Sequence, residues 1–575
     1  MRIGKFVKSL PLNIFASIII YCLDLLFVYK DQPDFKYRWL EFFIGFVAII
    51  PLFLDWKLLK KLGKSKGFFT IKTKGIYKKI HSWVVKNPWI IIGLLLIIST
   101  RFILIKEYPF NGIGDELRDG GLIVQQLISG SIKNIFGYGS YNGDGLLLGT
   151  LNIPFQILFS NSTLAYKVGS AVWGSIDLIL MFVLITKLTN KYVALAAAAI
   201  AASIPLHLYY SRSEVVVIMD SLGATCTLLS LVWYTKSPGF KKLLLIGFCI
   251  GMILGLHSAL RPLALLAFIY TIVLLIKNRQ LGYIPTFILT ILITFGPRIL
   301  FSDQLTLLNS NKLNFDLSTI FTAIPQSLGV YFFTSTSTHF YLQAPILMPF
   351  YALLFIIGVV ALLKKLNSIT VFVFLCLFIL PITNSALTDT INADHRLMVL
   401  IPFIIAATSY GINLIEENIH NSKLILGFFY SFILFSVITT TYTFFYNEYA
   451  SYSMFLDTRA NNYQNYLSTY IGIAIQSNAR LSASKTICIS GNSFEIDHKE
   501  RMHVKGYLNY VFPDVNFEYQ TDNSLEDRSI AISNSCSSTT ANSAQQEIMY
   551  CAPYQKFVCP LDQRPLKILI LGNAK

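Results

Sequence analysis

Charged residues are scarce in this sequence: Asp, Glu, Lys and Arg make up 14% of 575 residues, against about a quarter in soluble domains. Hydrophobic residues make up 54%, and the mean hydropathy is +0.56. The apolar residues are gathered into runs of about 20, the length of helix that spans a hydrocarbon core of about 30 Å. This composition excludes a soluble fold and predicts a helical protein that crosses a membrane several times.

Thirteen apolar runs predict an all-α polytopic membrane protein with about 13 transmembrane helices. They lie at about 12–29, 39–55, 89–106, 166–187, 192–209, 215–235, 242–257, 262–276, 284–300, 345–363, 369–386, 397–414 and 424–446. No small-residue cleavage site follows the first run, so we expect it to be a span and not a signal peptide. The runs also show no matched halves with broken helices, which argues against an inverted-repeat transporter.

Acidic residues are absent from residues 57–88, between the second and third runs, while ten lysines lie there. The positive-inside bias places this segment, and with it the amino terminus, in the cytoplasm. The long loops 107–165 and 301–344 and the tail 447–575 then share the outer face. The formal charge of +16 is concentrated in short loops beside apolar runs, so it indicates membrane orientation and not nucleic-acid binding.

The tail has a different composition from the spans and contains half of the eight cysteines. From Asn447 the chain becomes polar with mixed charges, and the pieces 485–491 and 566–572 resemble strands, so we predict a small extracytoplasmic α/β domain. The stretch 534–546 is typical of a flexible polar loop. The even number of tail cysteines predicts two disulfides in an oxidising compartment, with three pairings open. They are Cys488, Cys536, Cys551 and Cys559.

The first long outer loop places two adjacent carboxylates, Asp115 and Glu116, a few residues beyond the third span. Carboxylates there can stay ionised and still meet the head of a lipid substrate. Arg118 follows, and a guanidinium matches phosphate oxygens with two parallel hydrogen bonds. Residues 117–127 have a ragged amphipathic pattern that suits a helix on the membrane surface. The alternative is a solvated turn that caps this helix, since acidic residues commonly begin helices.

Further charged groups reach the same face from other segments. Arg212 and Glu214 lie in the turn after the fifth span, and Asp220 lies inside the sixth, where a charge is costly and indicates function. The alternatives are an ion pair between Arg212 and Asp220, or Arg212 reaching the headgroups. Five more groups come from three segments: His257, Arg261, Arg298, His395 and Arg396. Together they predict a site that binds phosphate with cations and activates a nucleophile with a carboxylate. No cluster of histidine and carboxylate ligands is evident, so we predict no metal, although a divalent cation stays open.

Several pieces of the chain resemble C-type (GT-C) glycosyltransferases, in particular the protein O-mannosyltransferases and the lipid A aminoarabinose transferases. They are GDELR with a following helix that ends in LISG, then ILFSNSTLAYKVGSAVWGSIDLILMFVLITKL, ALAAAAIAASIPLHLYYSR and, late in the chain, HRLMVLIPFIIAATSYGI. The likeness covers residues 88–446, with the spans of 1–87 as an addition and 447–575 as the tail domain. Two departures are Lys167, where many relatives carry arginine, and the greater distance of Asp220 from Arg212, which leaves Glu214 and Asp220 as alternatives for one acidic position.

The resemblance implies transfer of a sugar from a polyprenyl-phosphate donor to a lipid, glycan or protein acceptor at the outer membrane face. Asp115 would be the base and Glu116 would orient the acceptor, with Glu214 or Asp220 as a second carboxylate. The expected phosphate-binding residues are Arg118, Arg212, His257, Arg261, His395 and Arg396. The expected location is a bacterial inner membrane with the tail in the periplasm. Two other functions stay open: a polymerase or ligase of lipid-diphosphate-linked glycans, and a flippase of lipid-linked sugars.

Overall fold

The computed structural model describes most of residues 85–450 and five strand segments of the tail. The described ranges are 85–105, 147–159, 163–213, 215–301, 317–333, 345–386, 394–419, 422–450, 483–491, 515–521, 529–534, 544–550 and 566–571, with a few single residues elsewhere. The predicted spans 12–29 and 39–55 lie outside these ranges.

Helices make up almost all of the described membrane region. In chain order they are α1 (Pro88–Ser99), α2 (Leu147–Leu158), α3 (Thr163–Leu188), α4 (Lys191–Ser203), α5 (Pro205–Ser213), α6 (Val215–Lys236), α7 (Phe240–Leu254), α8 (Arg261–Lys277), α9 (Ile284–Phe301), α10 (Leu317–Gly329), α11 (Pro349–Lys364), α12 (Ser368–Pro381), α13 (Asp394–Leu397), α14 (Ile401–Ile419) and α15 (Lys423–Ala450). Short 3₁₀ turns precede α8, α9 and α14, and a π-helical turn, Ile382–Ala386, follows α12.

The helices give the chain the character of an integral membrane protein. Within the described ranges, six helices are long and apolar enough to cross a membrane, and the bent pair α4 and α5 brings the number to seven. Three shorter apolar helices are Pro88–Ser99, Leu281–Gly296 and Pro349–Lys364. The predicted total of thirteen spans is therefore not confirmed. Large side chains such as Leu265, Ile269 and Val273 of α8 are exposed at helical spacing, as expected of a surface that contacts lipid.

The structure corrects three expectations about the elements. The run 192–209, predicted as one span, is broken at Ile204 into α4 and α5, which meet at 68°. The break has a local cause: a proline disfavours the helical conformation of the residue before it, and Ile204 has φ −57° and ψ 119°. The loops 107–165 and 301–344 also contain helices, α2 and α10, that the sequence did not predict. Each contains a proline, Pro154 or Pro325, which weakens the helical signal.

Helix packing is closest between α11 and α14, where glycine lets two backbones touch. A Cβ added at Gly358 would collide with the carbonyl of Ala407, and one added at Gly411 would collide with that of Leu354. Small residues at such positions are the usual way in which membrane helices approach one another. The helix α4 follows the same rule with a run of buried alanines. Close packing of these helices holds the helix ends in place, and the polar residues of the candidate site lie at those ends.

The tail contains one five-stranded mixed sheet. Its strands are β1 (Thr486–Gly491), β2 (Asn516–Thr521), β3 (Ser529–Ser533), β4 (Ala544–Tyr550) and β5 (Leu566–Leu571), in the order β2-β1-β3-β5-β4. The pairs β1–β2 and β3–β5 are parallel, and β1–β3 and β4–β5 are antiparallel. The strand-like pieces 485–491 and 566–572 thus contain β1 and β5.

The predicted polar loop 534–546 is wrong at its carboxyl end, because residues 544–546 belong to β4. Among the described strands, β4 is at the edge of the sheet and pairs with β5 alone, and its pairing shifts register between Ala544 and Gln546. Edge strands tolerate polar and irregular sequence. That tolerance explains why the sequence did not predict this strand.

Candidate functional site

A short contact joins the carboxylate of Asp220 to the imidazole of His257. The Asp220 Oδ2 and His257 Nδ1 atoms are 2.5 Å apart, and the two side chains are 0% and 7% exposed. Asp220 lies near the start of α6, and His257 lies between the end of α7 and the 3₁₀ turn Ser258–Leu260 that leads into α8. The contact places the start of α6 beside the end of α7 and the turn that leads into α8. The sequence predicts that these helix ends lie at the outer face.

Three other predicted residues lie on the segments that meet at this pair. The rings of His257 and His395 have centroids 6.0 Å apart. His395 and Arg396 lie in the four-residue helix α13, and Arg261 is the first residue of α8; all three are half-buried. The structure thus brings the turn after α7 next to the turn before α14.

Asn384 connects these two turns, and the sequence did not point to it. Its amide nitrogen donates to the backbone carbonyl of Ala259 at 3.0 Å and to that of Arg396 at 3.2 Å. The side chain is buried and lies in the π-helical turn Ile382–Ala386. π-Helical turns are frequent at functional sites, so this turn marks Asn384 in the structure. Because such turns have no reliable sequence signature, the sequence alone could not indicate it.

The arrangement suits the binding of an oxyanion. An ionised carboxylate only accepts hydrogen bonds, so the proton in the Asp220–His257 contact is on Nδ1 of the imidazole. That bond fixes the orientation of the ring, and the Nε2 atom can donate to a phosphate only in the doubly protonated imidazolium form. Arg261 and Arg396 add two guanidinium groups from the adjoining turns. Together these groups supply positive charge and N–H donors of the kind that phosphate requires.

A second polar network lies deeper in the membrane region and joins the turn after α1 to α3, α5 and α6. Arg101 Nη2 lies 3.0 Å from His207 Nδ1, and His207 Nε2 lies 3.2 Å from Asp177 Oδ2. A guanidinium only donates, so Nδ1 of His207 accepts and Nε2 carries the proton that goes to Asp177. The hydroxyl of Thr225 donates to the other carboxylate oxygen at 2.6 Å. All four side chains are buried. No role was predicted for Asp177 from the sequence, and the other three residues were not predicted to belong to a site.

Arg212 is placed against the end of α1. Its guanidinium donates to the carbonyls of Thr100, Arg101 and Ile103 at 2.7 to 3.0 Å, and it stacks over the ring of Phe445 at 5.0 Å. Cations commonly bind the last carbonyls of a helix, where the helix dipole is negative. This placement gives Arg212 a structural role, and its predicted phosphate contact stays a prediction. The guanidinium holds the chain at the point where it leaves α1 for the first outer loop.

The deep network makes a direct prediction about stability. In Asp177→Asn, the amide can accept from only one of the two groups that now donate to the carboxylate, and Arg101 loses its buried counter-charge. We expect a loss of about 3 to 5 kcal/mol in the free energy of unfolding. Thermal unfolding of the purified protein in detergent measures it.

The matched control is Glu417→Gln, which also neutralises one carboxylate. Glu417 pairs with Lys365 at 3.5 Å, with both side chains 53% exposed, so the expected loss is only about 0 to 1 kcal/mol. Equal unfolding midpoints for the two variants would show that the buried network contributes little.

Among the remaining predicted residues, the structure describes the side chain of Cys488 alone. Asp115, Glu116, Arg118 and Glu214 lie outside the described residues, as do Cys536, Cys551 and Cys559. The side chain of Arg298 is not described either. Cys488 is buried in β1, opposite Glu518 of β2, and the tail disulfides stay a prediction. Among the described residues, no group of three or more His, Cys, Asp or Glu side chains could hold a metal ion. The expectation of no metal stays a prediction.

The chain has weak likeness to two solved membrane proteins. ArnT from Cupriavidus metallidurans, solved with undecaprenyl phosphate, is 12% identical, with a TM-score of 0.39 over 74% of this chain and 76% of that chain. The oligosaccharyltransferase of Archaeoglobus fulgidus, solved in the apo form, is 14% identical, with a TM-score of 0.43 over 76% of this chain and 65% of that chain. Both have the GT-C fold.

No protein-family model and no curated protein matches the chain. At the TM-scores given above, the two structural likenesses carry no argument about activity, substrates or site residues.

Proposed function

We propose that this protein is a membrane glycosyltransferase of the GT-C type. It moves a sugar from a polyprenyl-phosphate donor to a lipid, glycan or protein acceptor at the outer face of the membrane. The proposed location is a bacterial inner membrane, with the tail domain in the periplasm. The observation that carries the proposal is the Asp220–His257 contact, which lies beside His395 where the turn that carries Arg261 meets the turn that carries Arg396.

The position of this site fits a lipid phosphate. The charged groups lie at the ends of apolar helices, where the phosphate of a lipid meets the membrane surface while its chain stays among the tails. Charged residues within or beside spans are costly, and the collection of imidazole and guanidinium groups at one end argues for a ligand there. The deeper charged groups, Arg101 and Asp177, are buried and joined through His207, which favours a structural role for them over a path through the membrane. A flippase would need such groups along its path and access from both sides.

The chemistry divides between binding and proton removal. The acceptor hydroxyl attacks the anomeric carbon of the sugar, and the bond from that carbon to the phosphate oxygen breaks. The oxygen leaves with the bonding electrons as polyprenyl phosphate, and the acceptor proton goes to a carboxylate, which we assign to Asp115. Glu116 would orient the acceptor. Arg118, Arg261 and Arg396, with His257 and His395, would stabilise the charge on the leaving phosphate.

The second carboxylate of the site is either Glu214 or Asp220. Asp220 already accepts from His257, so we assign it the orientation of that ring. Glu214 then stays as the candidate that contacts the acceptor. The proposal requires no resident metal ion.

The test is sugar transfer by the purified protein in lipid vesicles. The donor is a synthetic polyprenyl phosphate sugar, and the acceptor is a membrane extract from cells that lack this protein. We expect release of polyprenyl phosphate together with a new glycosylated product, detected by mass spectrometry.

Two other outcomes would overturn the proposal. Transfer from a lipid-diphosphate-linked glycan only, with none from the monophosphate sugar, would indicate a polymerase or ligase. Movement of intact donor across the vesicle membrane would indicate a flippase, if the bond between sugar and phosphate stays intact with every acceptor extract. Heat-inactivated protein serves as the control for all three measurements.

A further inference from the structure

We propose that Asn384 is a positioning residue that holds the two cation-bearing turns of the phosphate site in register. The inference rests on the proposed function, because the site that Asn384 would organise is the proposed donor site. Asn384 itself has no part in the proposed chemistry, and it lies on a segment that none of the predicted site residues belongs to.

The geometry gives one side chain a contact with each turn. A primary amide nitrogen has two hydrogens, and in Asn384 both are directed to carbonyls, at 3.0 Å to Ala259 and at 3.2 Å to Arg396. Ala259 lies between His257 and Arg261, and Arg396 follows His395. One nitrogen therefore links the turn that carries the first imidazole and guanidinium to the turn that carries the second.

The backbone around Asn384 departs from regular α-helix, and side-chain hydrogen bonds stabilise this irregular conformation. Pro381 has no N–H, so the carbonyl of Leu377, one turn earlier in α12, lacks its usual helical partner. The hydroxyl of Tyr331, which is buried on another segment, donates to that carbonyl at 2.5 Å. The chain then widens into the π-helical turn Ile382–Ala386. The Thr383 hydroxyl returns to the carbonyls of Ile379 and Leu380 at 3.1 and 3.2 Å.

The burial of Asn384 predicts that the connection between the two turns requires its amide group. Asn384 is 4% exposed, so water cannot replace its two hydrogen bonds easily. Asn384→Asp keeps the size of the side chain but removes both donors and sets a carboxylate against two carbonyl oxygens. The two turns would then separate or rotate, and the guanidinium groups would no longer reach one phosphate together. Displacements of about 1 Å in such sites can change rates by about 10².

The experiment compares Asn384→Asp with Asn190→Asp. Asn190 also donates an amide hydrogen across the bundle, to Glu416 Oε2 at 2.9 Å, but it lies at the opposite end of the helices, before α4. Three quantities are measured for each full-length variant: the dissociation constant for polyprenyl phosphate, kcat and KM for transfer, and the midpoint of thermal unfolding. We expect Asn384→Asp to bind polyprenyl phosphate about tenfold or more weakly and to raise KM, while Asn190→Asp loses stability only.

The outcomes separate three possibilities. Equal affinities for polyprenyl phosphate in Asn384→Asp and Asn190→Asp would overturn the inference and leave Asn384 with a structural role alone. If Asn384→Asp does not fold, the affinity for polyprenyl phosphate is compared between Asn384→Ala and Asn190→Ala instead. Asn384→Ala removes the donors without adding charge. Unchanged affinity in Arg261→Ala and Arg396→Ala would instead refute the phosphate site, and with it the basis of the inference. If the two arginine variants bind polyprenyl phosphate more weakly and the Asn384 variants bind it normally, the phosphate site stands and the role inferred for Asn384 is refuted.

Discussion

Asp115→Asn should lower the turnover of sugar transfer by about 10² or more, while the affinity for the donor lipid stays the same. The amide keeps the size of the side chain and most of its hydrogen bonds, but it cannot take the proton of the acceptor hydroxyl. The donor phosphate is bound by cations that this change leaves in place. Loss of turnover without loss of binding is the result expected of a general base.

The measurement uses purified variants with synthetic polyprenyl phosphate sugar, and donor binding is measured separately with polyprenyl phosphate. Asp144→Asn is the matched control, because Asp144 is a carboxylate of the same loop to which no role is assigned. Full transfer activity in a protein with both Asp115→Asn and Glu116→Gln would refute this loop as the catalytic one. A flippase would show no division between binding and turnover, since moving a lipid removes no proton from an acceptor.

The sequence predicts the helices well where an apolar run is long and uninterrupted. The run 215–235 corresponds to α6, Val215–Lys236, and the run 424–446 lies within α15, Lys423–Ala450. Burial of apolar side chains determines these elements, and the amount of apolar surface can be read directly from the residues. Pro205 lies inside the run 192–209 and could have indicated the break. The apolar residues on both sides of it instead favoured the prediction of one continuous span.

The partners of buried charges could not be predicted in the same way. The sequence suggested Arg212 as a partner for Asp220, because the two are close in the chain, whereas the structure places His257 against Asp220. Which helix ends meet depends on how α6, α7 and α8 pack, and packing of apolar surfaces leaves little trace in the local sequence. Arg101 and His207 were missed for the same reason. Each lies inside a predominantly apolar run, and only the fold brings them to Asp177.

Asn384 shows the same limit at the proposed site. Its amide contacts backbone carbonyls, so its partners have no side-chain chemistry that a sequence could reveal. The His257, Arg261, His395 and Arg396 group was predictable because several charges beside spans stand out against an apolar background. The residue that connects their two turns is uncharged and does not stand out.

Arg396→Ala should weaken the binding of polyprenyl phosphate and also lower turnover, in contrast to Asp115→Asn. The guanidinium of Arg396 is half-buried at the start of the late spans, and we assign it to a phosphate that is already charged before the reaction. A hydrogen bond to a charged group contributes about 1.5 to 3 kcal/mol, which corresponds to about a 10- to 100-fold loss of donor affinity. Turnover should fall as well, since the leaving oxygen carries more charge in the transition state than in the donor.

Arg396→Lys tests the geometry of the same contact. Lysine keeps the charge but presents a single ammonium in place of the planar pair of donors, so its donor affinity should lie between those of the native protein and the alanine variant. Arg279→Ala is the matched control, because Arg279 is exposed just beyond the other end of α8 and loses the same group. Donor affinities that are the same in Arg396→Ala, Arg279→Ala and the native protein would exclude Arg396 from the phosphate site. If Arg261→Ala gave that result too, the site between the two turns would bind something other than a lipid phosphate.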